Sequence, residues 1–187
     1  AWCTKLLSAK DIHRGLEDRA RESRAMINQW FWAGQYFRND TYSSPPICSA
    51  DANFWPYWCD LVDQRELRLP LSIEAIHDQG LDEPMPLKYH RETHSDLALE
   101  PFKNRLPNYQ GNSVCTLLSS HWIELVKALK PQRADRYKVQ INDWLEAEGN
   151  WHECLDATSQ KILKGPRGFQ PRSGMIWAAN FLAQHLK

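Results

Sequence analysis

Lys161 to Ser173, KILKGPRGFQPRS, is the stretch whose residue types point most directly to chemistry. Lys161, Lys164, Arg167 and Arg172 surround two glycines, two prolines and Phe169, with no acid among them. Glycine lets a backbone come close to a ligand. Arg167 and Arg172 are suited to gripping phosphate with paired hydrogen bonds, and Phe169 to stacking on an unpaired base. The run leads into Ser173-Gly174, where the free N–H groups opening a following helix would favour an anion. Arg133, Arg136 and Lys138 extend the patch if the fold brings them alongside. A solvated surface loop, or one neutralised by the acidic middle of the chain, is the plainer reading of the same residues.

Other groupings are weaker. His90 and His94 stand four apart with Glu92 between them, a spacing that on a helix puts both rings on one face and can ligate a metal. The pair lies in a proline-rich region with no helical period, so surface histidines are the simpler expectation. Asp60, Asp63 and Glu66 recur every three residues and could share a divalent cation, although solvated acidic faces are commoner. Cys115 with His121, and His152 with Cys154, offer nucleophile and base types, but their pairing is a matter of three-dimensional arrangement, and buried, inert cysteines are the default. There is no glycine-rich phosphate loop, no G-x-S-x-G elbow and no C-x-x-C pair. No cofactor is expected.

A different chemistry, recognition by aromatic surface, is suggested by Phe54, Trp55, Tyr57 and Trp58. The chain has nine tryptophans, most of them expected to fill core. This cluster is dense enough in Trp and Tyr to serve as a partner surface.

Net charge is zero, so no overall field steers the chain toward nucleic acid. The distribution is uneven. Residues 1–39 carry seven Lys/Arg against four Asp/Glu, residues 40–100 four against twelve, and residues 101–187 twelve against seven. The acidic middle and basic last third can complement each other within one chain, or face separate partners. Five dispersed cysteines form no disulfide framework, no apolar run is long enough to span a membrane, and the first residues, AWCTKLLSAK, lack the apolar core of a signal peptide. A cytoplasmic protein with no membrane partner is the expectation.

Helices must position these groups. Ser8, followed by Asp11, resembles a capping box opening a long amphipathic helix to about Arg38, roughly 45 Å in length, with Ile12, Leu16, Ala20, Ile27, Trp30 and Phe31 on one side. Residues 54–67 read as a short helix with Pro56 in its first turn, Pro70 as an interruption, and the run from Ser72 to before Gly80 as another helix. Residues 81–112 are irregular and punctuated by proline, an unusually long loop or a small insertion, with a short hairpin around 87–89 and 97–99 as a weaker alternative. Ser113 opens a helix that Pro131 stops. Helices follow over about 134–148, ended by Gly149, and over about 150–163, and Ser173 caps the last.

The sequence therefore indicates a mainly α single domain over 1–187, in which a long N-terminal amphipathic helix packs with a C-terminal helical bundle around an irregular proline-rich middle. The functional expectation is a non-catalytic helical binding module, a subunit or adaptor with a protein partner. Its alternative is a nucleic-acid-binding accessory protein using Lys161, Lys164, Arg167, Phe169, Arg172 and Ser173. A metal-dependent enzyme built on His90 and His94 comes third.

Overall fold

A computed structural model describes residues 15–91, 108–109, 111–164, 173–174 and 177–185. The described chain is mainly helical, with a single two-stranded sheet. Helix α1 (15–26) passes into a π-helical turn at Ile27–Phe31 and stops there, with Trp32 already extended. It is therefore shorter than the expected run to Arg38. The reason lies in residues 32–37. Gly34 takes a positive φ of 93°, the chain doubles back so that Trp32 bridges Phe37, and their rings meet edge-on at 5.0 Å. A bulky indole that packs against Phe37 and under the Arg68 guanidinium, 4.8 Å from its ring centre, cannot also continue the helix. Residues 15–26 are exposed throughout, including Leu16 and Met26, so among the described residues the apolar stripe meets the core from Ile27 onward. The proposed cap at Ser8 lies outside the described residues.

Two helices, each buried on one side, hold the middle of the chain. Helix α2 (Ala50–Trp58) turns Asn53, Phe54 and Tyr57 inward, and α3 (Arg65–Asp78) buries Leu69, Ile73 and Ile76 at helical spacing. The expected helix over 54–67 is thus two, separated by a turn in which Asp60 and Gln64 have positive φ. Pro56 and Pro70 both sit inside helices. Each ring removes one backbone hydrogen bond, at a cost of about 3 kcal/mol. Burial of several side chains worth about 1.5–3 kcal/mol apiece outweighs that cost.

The irregular middle is packed where it is described: Leu81, Met85 and Leu87 are buried, and Lys88 bridges Val114. Leu87–Tyr89 does pair as extended chain, but with strand β1 (Ser113–Cys115), whereas residues 97–99 lie outside the described residues. Strand β1 pairs antiparallel with β2 (Cys154–Asp156). Two expected helices are corrected here. Ser113 belongs to β1 and the helix after it, α4 (Thr116–Lys127), begins three residues later. Residues 150–163 form no helix, because the Asp156 carboxylate accepts from the backbone N–H groups of Thr158 and Ser159 and closes a turn there. The chain then returns along β2 through a bridge between Leu155 and Ile162.

Helix α5 (Pro131–Glu148) ends at Gly149 in the left-handed conformation, as expected, but starts on its proline, three residues before the expected Ala134, because a proline in the first turn gives up no helical hydrogen bond. Helix α4 is buried on most sides because it meets α2, α5 and the last helix, α6 (Trp177–His185). One hydrophobic cluster runs from Phe37 through Tyr57, Trp122 and Tyr137 to Phe181. The acidic middle does complement the basic last third: Glu74 pairs with Lys130 and Arg133, and Glu83 with Arg136. No helix among the described residues is long and apolar enough to cross a membrane.

Candidate functional site

The faces of α2 decide what its aromatic residues can do. Phe54 and Tyr57 point into the core at 0% and 1% exposure, which corrects their assignment to a partner surface. The Tyr57 hydroxyl is spent on Ser72. Trp55 and Trp58, three apart on the other side of the same helix, are 43% and 42% exposed. Trp58 lies over His121 of α4, ring centres 4.3 Å apart, and burial holds that imidazole below its ordinary pKa. Trp55 has a different neighbour: it forms the wall of a cleft.

The cleft has a volume of about 280 Å³ and is bounded by Ile27 and Phe31 from the foot of α1, by Phe37 to Asn39, and by Asp51, Ala52, Trp55 and Pro56 of α2. Three polar devices fix its walls. The buried Asn53 amide accepts from the Phe37 N–H at 2.8 Å and donates to the Phe37 carbonyl at 2.8 Å, tying the returning chain to α2. The Arg38 guanidinium donates twice to the Trp30 carbonyl, at 2.9 and 2.7 Å, and so satisfies the end of the π turn. Asn28 fastens α1 from the other side: its amide donates to the Leu61 carbonyl and its oxygen accepts from the Asp63 N–H and from Arg68. Arg24 pairs with Asp63 at 2.8 Å, and Arg65 approaches Asp60 at 3.8 Å. Those acids serve the attachment of α1 and the 59–64 turn.

Asp51 lines this mostly apolar cleft, and one of its carboxylate oxygens is buried with no hydrogen-bond donor among the described residues. A buried acceptor left unpaired costs about 1–3 kcal/mol, which a donor arriving from outside would recover.

The basic run stands apart. Lys161 and Lys164 are exposed and share a cavity of about 290 Å³ with Asn108, Asp156, Ser159, Ile162 and Leu163. Asp156 is buried enough to resist ionisation, yet hydrogen bonds from Ser159, Asn108 and Thr158 outweigh this and hold its carboxyl below the ordinary value. The two lysines therefore face an ionised carboxylate within the same cavity. Ser173 is exposed and bridges His152 in extended geometry, upstream of Trp177–His185, and Gly174 donates to the Trp151 carbonyl. Arg167, Phe169 and Arg172 lie outside the described residues. Arg133, Arg136 and Lys138 pair with Glu74, Glu83 and Asp135.

His90 is buried and its N–H donates to the Gly111 carbonyl, so it is no surface histidine, while His94 lies outside the described residues. No group of three or more His, Cys, Asp or Glu among the described residues could hold a metal ion. The residues of the thiol–imidazole alternative take other partners: His121 lies on Trp58, His152 packs near Trp144, and Cys115 and Cys154 face each other across the sheet.

Of the cleft, the sequence disclosed Ile27, Phe31 and Trp55. Asp51 and Ala52 carry no motif that marks them as part of a site, and the return of Phe37 to Asn39 depends on the turn at Gly34. No family model matches the chain, and no curated protein or solved structure is detectably similar to it.

Proposed function

We propose that the chain is a non-catalytic helical binding module, a subunit or adaptor, whose protein partner inserts a tryptophan or tyrosine side chain into the cleft between α1 and α2. An apolar cleft lined by Asp51, one of whose carboxylate oxygens is buried without a donor among the described residues, is what supports this. Its volume suits a single aromatic side chain, and an indole N–H or phenol O–H supplies the donor that Asp51 lacks. Half-exposed Trp55 at the rim, with Trp30 at 54% exposure nearby in sequence to Phe31, adds the aromatic surface typical of interface anchors. Four free cysteines among the described residues fit a reducing compartment, and we place the module in the cytoplasm.

N-acetyltryptophanamide is the test probe, titrated into the protein and followed by amide NMR shifts. Binding at roughly millimolar affinity is expected, confined to residues 27–39 and 51–56 and abolished by Ala52→Trp, which fills the cleft. The 1-methylindole analogue, lacking the N–H, should bind about fivefold more weakly, the equivalent of one hydrogen bond of about 1 kcal/mol. Equal binding of the two probes, or shifts elsewhere, would refute the role given to Asp51 and the cleft.

The nucleic-acid reading stays second. Exposed Lys161 and Lys164 favour it, as does the engagement of Asp60 and Asp63 by Arg65 and Arg24, which leaves those acids occupied elsewhere. Salt-sensitive binding of short DNA or RNA that Arg167→Ala/Arg172→Ala abolishes would put it first.

A further inference from the structure

Cys115 and Cys154 are the last and first residues of β1 and β2, and they are direct partners in the antiparallel register. The hydrogen bonds around them identify the kind of pair. The Cys115 N–H turns the other way, to the Leu87 carbonyl at 2.9 Å, while the next residue, Thr116, donates to the Glu153 carbonyl at 3.1 Å. Cys115 and Cys154 therefore form a non-hydrogen-bonded pair, the site in an antiparallel ladder where opposed side chains come closest, with Cα atoms about 4.5 Å apart. That spacing falls within the range a disulfide spans, about 4.4–6.8 Å. Both side chains are on the same face of the sheet and both are buried.

The two sulfurs differ in surroundings. Cys115 is also the N-cap residue of the 12-residue helix α4. It makes no formal capping bond, but the Leu118 and Leu117 amides at the start of the helix are near enough to favour a negative sulfur. The Tyr89 hydroxyl donates to its Sγ at 3.3 Å. The neighbouring Cys154 thiol is the largest of the effects that lower the Cys115 pKa. The same proximity, with burial and the Cys115 and Glu153 charges, pushes Cys154 up. At Cys48 burial governs: its thiol is pushed up to about 12 even though the Asn53 amide donates to its Sγ at 3.5 Å. Cys154 is covered by Leu163, with Tyr109 packed alongside.

We propose that Cys115 and Cys154 are a redox-active dithiol, with Cys115 the attacking thiolate and Cys154 the resolving thiol, closed to a cross-strand disulfide by a hydroperoxide. The Cys115 sulfur attacks the terminal peroxide oxygen, the O–O bond breaks, and the alkoxide takes a proton and leaves as an alcohol (as water for hydrogen peroxide). Cys115 is oxidised by two electrons to the sulfenic acid. The Cys154 sulfur then attacks Cys115, the S–S bond forms, the S–O bond breaks, and the Cys154 proton leaves with the hydroxyl as water. The net change is two thiols and one hydroperoxide to one disulfide, one alcohol and one water. The bond joins the N-cap of α4 to the strand that follows α5.

The test uses the full chain with Cys3→Ser/Cys59→Ser, which leaves Cys48, Cys115 and Cys154. Hydrogen peroxide is added at a dose that oxidises glutathione in the same tube, and the protein is then denatured, alkylated and mapped by mass spectrometry. The expected product is lighter by two hydrogen atoms, with the Cys115 and Cys154 peptides joined, Cys48 alkylated, and reversal by dithiothreitol. Adding Cys154→Ser should stop the reaction at a dimedone-trapped sulfenic acid on Cys115, formed at least about tenfold faster than any on Cys48. All three thiols remaining free would overturn the proposal, as would a link through Cys48 or a link formed only in urea. If the Cys154→Ser chain does not fold, the peptide map of the double variant decides alone.

Discussion

Asn53→Leu is the substitution that most directly probes how the cleft is held. The side chain is fully buried and its amide makes a two-way clamp on Phe37, with a further bond from Nδ2 to the Ser49 carbonyl at 2.9 Å. Leucine keeps the volume and removes every one of these bonds. The Phe37 N–H and carbonyl then lose their partners in a place water does not reach, at about 1–3 kcal/mol each, so the variant should lose roughly 2–5 kcal/mol. The Ser49 carbonyl still receives the residue-53 backbone N–H and adds little. Against a typical total of about 5–15 kcal/mol, this is a large fraction. In urea, with a slope of about 2 kcal/mol/M, the midpoint should fall by roughly 1–2.5 M with the slope unchanged. Because Phe37 walls the cleft, binding of N-acetyltryptophanamide at moderate temperature should weaken in parallel while far-UV ellipticity is kept. A midpoint within about 0.3 M of the wild type would refute the clamp, and a changed slope would mean that the native or unfolded ensemble had been altered instead.

Two further outcomes follow from buried and partly buried carboxylates. Asp82 is fully buried and takes hydrogen bonds from Tyr137 and the His77 ring. Tyr137→Phe should cost about 1.5–3 kcal/mol and lower the melting temperature by roughly 3–12 °C. Asp82→Asn in the same background should recover part of the loss if an under-solvated charge is the cause, and calorimetry showing no recovery would assign the loss to packing. The Lys130 hydrogen bond, and then Arg133, hold the Glu74 carboxyl below its ordinary 4.5 despite burial. A depressed folded-state pKa means stability that is complete above the unfolded value and lost as pH falls below it. Glu74→Gln should therefore flatten the fall in urea midpoint from about pH 5 to about pH 3, by under about 1 kcal/mol because the side chain is 40% exposed. An unchanged acid limb would show that the ion pair is screened away.

What was legible in the sequence depended on how local the cause was. Gly149 at a helix end and the apolar period of α4 act within a few residues, and both are legible; Pro131 reads as the stop of the helix before it, whereas it is also the first residue of α5. Residues 113–115 and 150–163 were misread because their apolar residues suit a helix as well as a strand, and short apolar runs do not settle the period. The deciding terms were the Asp156 turn and pairing with a segment about forty residues away. Pro70 misled in the opposite direction: its local cost is real, but Leu69, Ile73 and Ile76 bury on both sides of it.

The candidate sites follow the same division. Trp55 was visible as an aromatic residue, but whether it or Tyr57 would face outward is fixed by the phase of α2 against α3 and α4, and Phe54 and Tyr57 went to the core. Asp51 became interesting only through what it lacks, and a missing donor has no trace in sequence. The thiol pair is the extreme case. Cys115 and Cys154 are separated by two entire helices, and a one-residue slip of β1 against β2 would turn one of them to the opposite face. Their facing one another is thus a statement about register, and register here is set by α4 and α5 packing on the same core cluster. A perturbation that loosens that packing without touching either cysteine, such as Tyr137→Phe, should therefore slow disulfide closure as well as lower stability.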